Sequence, residues 1–185
     1  TLFPYTTLFR SPVGLVIQLQ ARSGHPSAYG EVLNTSAIDG HVAEGAVHVR
    51  FVEHSGRYLG GARWSLREPR FEIMLGDGKA LPAEIVIKPR VAPAIFGAGL
   101  LDAVPASAIT PARHAKRPAS RFGWQLGARS LAEQTAHAFS REMGLTSTVS
   151  SRDDCALDDH VCHAATSGGV PEVSSEFFAA VLAFQ

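Results

Sequence analysis

Val47, Val49 and Phe51 alternate with His48, Arg50 and Val52, and Phe71, Ile73 and Leu75 repeat the two-residue period just before Gly76-Asp77-Gly78. Side chains that return to one face every second residue are a property of extended chain, not of helix. This stretch is therefore committed to sheet with one buried face. Trp64 and Leu66 alternate in the same way after Gly60-Gly61. The pattern predicts strands over 46–54, 62–67 and 70–75 as a small antiparallel meander, with Ser55-Gly56 closing the first strand. Val47, Val49, Phe51, Phe71, Ile73 and Leu75 are expected to point inward, with His48 and Arg50 outward. Val13 to Gln20 is a candidate short strand, and Ser23 to Gly45 is loop punctuated by Gly24, Pro26, Gly30 and Gly40.

From about residue 92 the pattern changes. Ile95 to Val104 and Pro105 to Ile109 read as short helical pieces limited by Pro93, Pro105 and Pro111. Residues 112–121 form a basic linker. The best helix is Ser130 to Met143. Ser130 and Glu133 make a capping box, in which the hydroxyl accepts a backbone N–H and the carboxylate reaches back. Leu131, Thr135, Ala136, Phe139 and Met143 form its apolar stripe, and Gly144 suits the left-handed residue that ends a helix. Residues 145–173 read as loop with acidic positions Asp153, Asp154, Asp158 and Asp159, and Ser174 to Gln185 as an amphipathic helix. The fold class is mixed α+β and loop-rich.

Bulk properties narrow the function. Seventeen acidic and seventeen basic residues cancel, which disfavours nucleic acid or an anionic membrane as main partner. No run approaches the roughly 18 apolar residues of a membrane span, so no transmembrane segment is expected. Thr1 to Ser11 (TLFPYTTLFRS) reads as translated sequencing adapter, and the last helix stops inside an apolar run with no terminating residue. The expectation is a fragment, 12–185, of a longer domain truncated at both ends.

The order of segments carries a resemblance. Tyr29 to Gly45 (YGEVLNTSAIDGHVAEG), Tyr58 to Pro69 (YLGGARWSLREP), Arg90 to Ile109 (RVAPAIFGAGLLDAVPASAI), Arg121 to Ser147 (RFGWQLGARSLAEQTAHAFSREMGLTS) and the closing Cys155…Cys162…Pro171-Glu172 pattern resemble the di-haem oxidoreductase family of bacterial c-type cytochromes, a peroxidase-like group. The resemblance implies the central fragment of a mainly α, cytochrome c peroxidase-like protein. It also implies two haems c, held by Cys-x-x-Cys-His motifs that this chain does not contain and that are expected outside it. Periplasmic location, a small redox protein as electron donor or acceptor, and a peroxide-like substrate follow from the same resemblance.

Within the fourth segment, Trp124, Gly127, Ser130-Leu131, Gln134 and Glu142-Met143 match a motif of the bacterial di-haem cytochrome c peroxidases, with a slightly shorter spacing to the acid. The match implies Trp124 as an electron relay between the haems. Gln134 and Glu142 are then the residues facing the peroxide, and Trp124, Phe122 and Met143 are the expected cofactor contacts. The residue types suit that work. Heterolytic cleavage of a peroxide needs one group that takes a proton from one oxygen and returns it to the other, which a carboxylate with a suitable pKa does. An amide steadies developing charge without competing for the proton. Each residue also has an ordinary reading: Trp124 with Phe122 as an aromatic core anchor, Gln134 as a solvated helix residue, Glu142 as a surface carboxylate. On an ideal helix Gln134 and Glu142 lie about 12 Å apart along the axis and about 80° around it.

Cys155, His160, Cys162 and His163 offer four ligands within nine residues, but the spacing fits no usual zinc site. A disulfide closing a short loop in an exported protein is the better reading, and no metal site is expected. His48 and His54 share the solvent face of their strand. Gly97-Ala98-Gly99 lacks the third glycine and preceding strand of a dinucleotide fingerprint, and no G-x-S-x-G nucleophile motif occurs. The leading expectation is thus a haem-dependent, peroxidase-like oxidoreductase as a full-length protein, with the fragment alone inactive. The alternative is a non-catalytic extracytoplasmic binding or structural domain that kept the scaffold and lost its haems.

Overall fold

The computed structural model describes residues 14–22, 29–92, 95–109, 120–124, 126–152, 154–155 and 160–185. The adapter-like stretch 1–11, nearly all of the basic linker, and Asp153, Asp158 and Asp159 lie outside the described residues. The chain divides into two compact units, Thr1–Tyr29 with Leu33–Val91, and Gly30–Val32 with Ala92–Gln185. The architecture is mixed, with two small antiparallel sheets followed by short helices.

The first unit holds β1 (Leu15–Ala21), β2 (Gly45–Arg57), β3 (Arg63–Leu75) and β4 (Ile85–Val91). β2 pairs with β3, and β1 with β4. Val47, Val49, Phe51, Phe71 and Ile73 are half-buried and Leu75 is buried, while His48 and Arg50 are exposed. The alternation therefore sorts the two faces as expected. Leu75 joins Ile17, Leu19 and Leu33 in a core that Val47, Phe71, Ile73, Ile85 and Ile87 flank.

The meander itself needs correction. The segments 62–67 and 70–75 are one strand, so β2 and β3 make a two-stranded hairpin rather than three strands. Pro69 lies between the two segments. Tyr58 N–H donates to Ala62 O and Gly76 N–H to Glu44 O, which places even-numbered residues in the hydrogen-bonded pairs. Pro69, opposite Phe51, falls in a non-hydrogen-bonded pair where its missing N–H costs no ladder bond. Pro89 in β4 is accommodated likewise. It faces Ile17, and the neighbouring Arg22 N–H to Glu84 O bond (2.8 Å) fixes the same parity. β4 is a strand that the sequence reading does not contain. Gly56 does not end β2 either. The Trp64 ring from β3 lies over it, and a Cβ there would stand 2.5 Å from the indole. The hairpin turns at Leu59-Gly60, with Gly61 at φ 83° in the left-handed position of a three-residue loop.

The second unit contains α1 (Ala98–Asp102), a 3₁₀ turn (Ala106–Ala108), α2 (Leu131–Met143), the one-turn α3 (His160–His163) and α4 (Ser175–Phe184). Ala136 and Phe139 of α2 are buried with Val173 and with Phe178 of α4. Phe122, Ala128 and Leu131 form a second small cluster with Ala98 and Leu182. The predicted helix thus starts one residue after its cap, Ser130, and ends at Gly144, φ 65°. Among the described residues no helix is long and apolar enough to cross a membrane.

Candidate functional site

The candidate residues sit on the loop 120–128 and on α2, so what fixes those two elements fixes the site. Ser130 Oγ accepts from Glu133 N–H at 3.1 Å, but the Glu133 carboxylate accepts from Arg129 N–H (2.8 Å) rather than from the cap residue. The capping box is shifted by one residue. Asp102, at the end of α1, adds a bond that sequence reading missed: its Oδ1 accepts from Leu131 N–H at 3.0 Å. Arg121 works from the loop, with Nη1 donating to Leu101 O (2.9 Å) and also reaching Val104 O. It thereby ties the loop to carbonyls at and just beyond the end of α1.

The loop closes on itself through a two-way pair between Phe122 and Ala128, both bonds 3.0 Å. Phe122 points into the core, 7% exposed, against Ala128 and Leu131. Trp124 is on the outer side of the loop and 51% exposed. The pair read as one aromatic anchor is split, with Phe122 inside and Trp124 outside. Between them Gly123 takes φ 73°, and the amide oxygen of Gln134 lies 2.5 Å from where a Cβ at 123 would be. Gln134 is half-buried rather than fully solvated. Its side chain spans from α2 to the loop that carries Trp124.

Glu142 and Met143 stand at the far end of α2. Met143 is 61% exposed. Glu142 is exposed in the folded chain, yet partial desolvation of its carboxyl pushes the pKa above the ordinary 4.5. Arg141 beside it is committed elsewhere, to Glu31 at 2.8 Å. Asp154 lies in the same neighbourhood. Burial pushes its carboxyl up, Arg141 pulls it down, and Glu31 pushes it up. α2 runs unbroken, so Gln134 and Glu142 keep the separation of an ideal helix, about 12 Å along the axis. The structure joins Trp124 to Gln134 through the Gly123 loop and leaves Glu142 and Met143 two turns away.

Cys155 and Cys162 are bridged, with Cα atoms 5.8 Å apart. Both sulfurs are thereby occupied, which takes them from the zinc reading, and among the described residues no group of three or more His, Cys, Asp or Glu side chains could hold a metal ion. The anchoring role of Glu172 is a second feature that sequence reasoning did not find. Its carboxylate accepts from Thr146 N–H (2.9 Å), Thr146 Oγ1 (3.1 Å) and Gly168 N–H (2.9 Å). Those bonds to the ionised form hold its pKa below 4.5. The signal available was Pro171-Glu172 itself, an acid just after a proline in a loop with no helix to solvate. Compared with protein-family models, with curated proteins and with solved structures, the chain matches none.

Proposed function

We propose that this chain is the central segment of a di-haem c-type oxidoreductase, a peroxidase-like enzyme of the periplasm that takes electrons from a small redox protein. One observation supports this reading most: the amide of Gln134 on α2 lodges against Gly123, the residue before the exposed Trp124, and the same helix carries Glu142, exposed but partly desolvated. The residues present fit a haem. Trp124 and Met143 leave an aromatic ring and a thioether in water, surface that a flat apolar cofactor covers well. They are the residues of this chain that would contact it, with covalent attachment supplied by Cys-x-x-Cys-His motifs outside it.

Haem, when bound, supplies the redox chemistry between the donor protein and the peroxide. The chain supplies the rest. Trp124 offers an oxidisable ring at the surface. Gln134, its amide oxygen lodged against Gly123, keeps its NH2 end to donate toward developing negative charge. Glu142 accepts and returns a proton, and a raised pKa brings its proton affinity closer to neutral pH, where transfer in both directions is efficient. Reduction of a peroxide consumes an electron pair and a pair of protons. The electrons come from the redox partner and the protons from solvent, passed through the carboxyl.

The test begins with the source DNA. Extending the reading frame beyond Ser11 and Gln185 should reveal a Cys-x-x-Cys-His motif on each side, and the whole frame, exported with a c-type maturation system, should carry covalent haem. Uninterrupted flanking frames with no such motif overturn the assignment.

A further inference from the structure

The β2–β3 ribbon runs beyond the core that it helps to build. Val47, Phe71, Ile73 and Leu75 reach that core, but Val52 to Ser55 and Ser65 to Arg67 are exposed at every position. A two-stranded ribbon on its own is marginal in water, so this outer half calls for another strand. Its two edges are not equivalent. Even-numbered residues of β2 bond to β3, so odd-numbered residues of both strands turn their N–H and C=O groups outward. On β3 the outward row includes Pro69, which has no N–H and blunts that edge. On β2 the row Phe51, Glu53, Ser55, Arg57 is intact, and among the described residues none of these backbone groups bonds to a segment other than β3.

We propose that the β2 edge is a dimerisation surface, on which a second copy of this chain pairs its own β2 antiparallel about a twofold axis through Ser55, giving a continuous four-stranded sheet. Charge selects this register. Pairing through the outward groups matches odd residues with odd, and the charged residues of that row are Glu53 and Arg57. Centring on Ser55 sets Glu53 against Arg57 of the second copy, and symmetry makes the contact twice. Centring on Glu53 or on Arg57 would oppose like charges. The same register brings exposed Val52 beside exposed Tyr58 of the second copy. It also relieves a repulsion within one chain. Arg57 faces Arg63 directly across the ribbon, a like-charge pair that disfavours the hairpin, and the incoming carboxylate offsets it.

Sedimentation of the full chain over a concentration series tests the assignment, with circular dichroism confirming that each variant is folded. The unaltered chain should be a dimer. Glu53→Arg turns two attractions into two repulsions, besides losing the Glu53–Arg67 pair across the ribbon (4.0 Å), and should raise the dissociation constant at least about tenfold. Adding Arg57→Glu to it should restore the dimer, because the charges are then exchanged rather than lost. Ser55→Pro removes the N–H at the axis while sparing the β2–β3 ladder, and should also give monomer; it decides the matter if Glu53→Arg fails to fold. A monomeric unaltered chain, a dimer indifferent to Ser55→Pro, or a charge exchange that does not restore pairing each overturns the proposal.

Discussion

Gln134 closes over the backbone of Gly123, its amide oxygen 2.5 Å from the position a Cβ would take. The contact joins the longest helix of the second unit to the loop bearing Trp124. It also makes residue 123 doubly restricted, because φ is 73° there. Gly123→Ala is expected to destabilise by about 1–2 kcal/mol for the left-handed backbone alone, and by more while Gln134 stays in place. In a Gln134→Ala background the cost should shrink toward the backbone component, since the obstructing amide is gone. A double-mutant cycle from urea melts measures this coupling. Equal costs in both backgrounds would show that the amide yields freely.

Asp102 provides a second check on how α2 is held. Its carboxylate accepts from Leu131 N–H, one of the N-terminal donors that a helix leaves open. Asp102→Ala should cost about 0.5–2 kcal/mol, the usual range for losing a cap, and Asp102→Asn should recover most of it because the amide oxygen still accepts. Thermal melts of the two variants distinguish capping from simple loss of charge, under which both would be equally impaired.

Sheet periodicity and helix capping were legible in the sequence because each depends on residues close together in the chain. Val47 to Phe51 and Phe71 to Leu75 sorted their faces by alternation alone, and Ser130 and Gly144 mark the two ends of α2. Pro69 and Pro89 sit inside strands because a proline excludes a strand only where its N–H would be needed, and that depends on the parity of a partner strand. Gly56 misled for a related reason: its lack of a side chain serves Trp64, which reaches it from the opposite strand. The contacts of the candidate site are of the same long-range kind. Asp102 to Leu131, Gly123 to Gln134 and Glu31 to Arg141 each join positions with no local pattern between them. Glu172 was invisible as an anchor because two of its three donors, the N–H groups of Thr146 and Gly168, are backbone groups that any sequence would offer, and the third, the Thr146 hydroxyl, lies 26 residues away.

Glu172 should make the fold acid-sensitive. Three hydrogen bonds favour its ionised form and lower its pKa in the folded chain below 4.5. The stabilisation is therefore fully present above the unfolded value and is lost as pH falls through the lower, folded one. Melting temperature should decline below about pH 4.5. Glu172→Gln should be less stable at pH 7 but flatter across the acid range. If its acid profile parallels that of the unaltered chain, the Thr146–Glu172 bracket does not set acid stability.

Glu142 differs in sign. Desolvation raises its pKa, so the fold favours the protonated carboxyl, and ionisation on going to neutral pH works against stability. Glu142→Gln should accordingly melt no lower than the unaltered chain at pH 7, a readout that needs no cofactor. Its effect on the haem-loaded full-length protein should be large all the same. The amide keeps the shape but cannot accept a proton, and general acid–base assistance is typically worth about 10²–10⁴-fold in rate. Peroxide turnover should fall by that order with haem loading unchanged. On the proposed function, the unaltered full-length protein should lose peroxide turnover as acid protonates Glu142, whose pKa is raised above 4.5, and the Gln variant should lack that limb of the profile. Trp124→Phe is the contrasting variant, expected to slow electron transfer between the haems while leaving the pH limb in place. Near-normal turnover by Glu142→Gln would return Glu142 to the role of a surface carboxylate and shift the proton-transfer role to another acid.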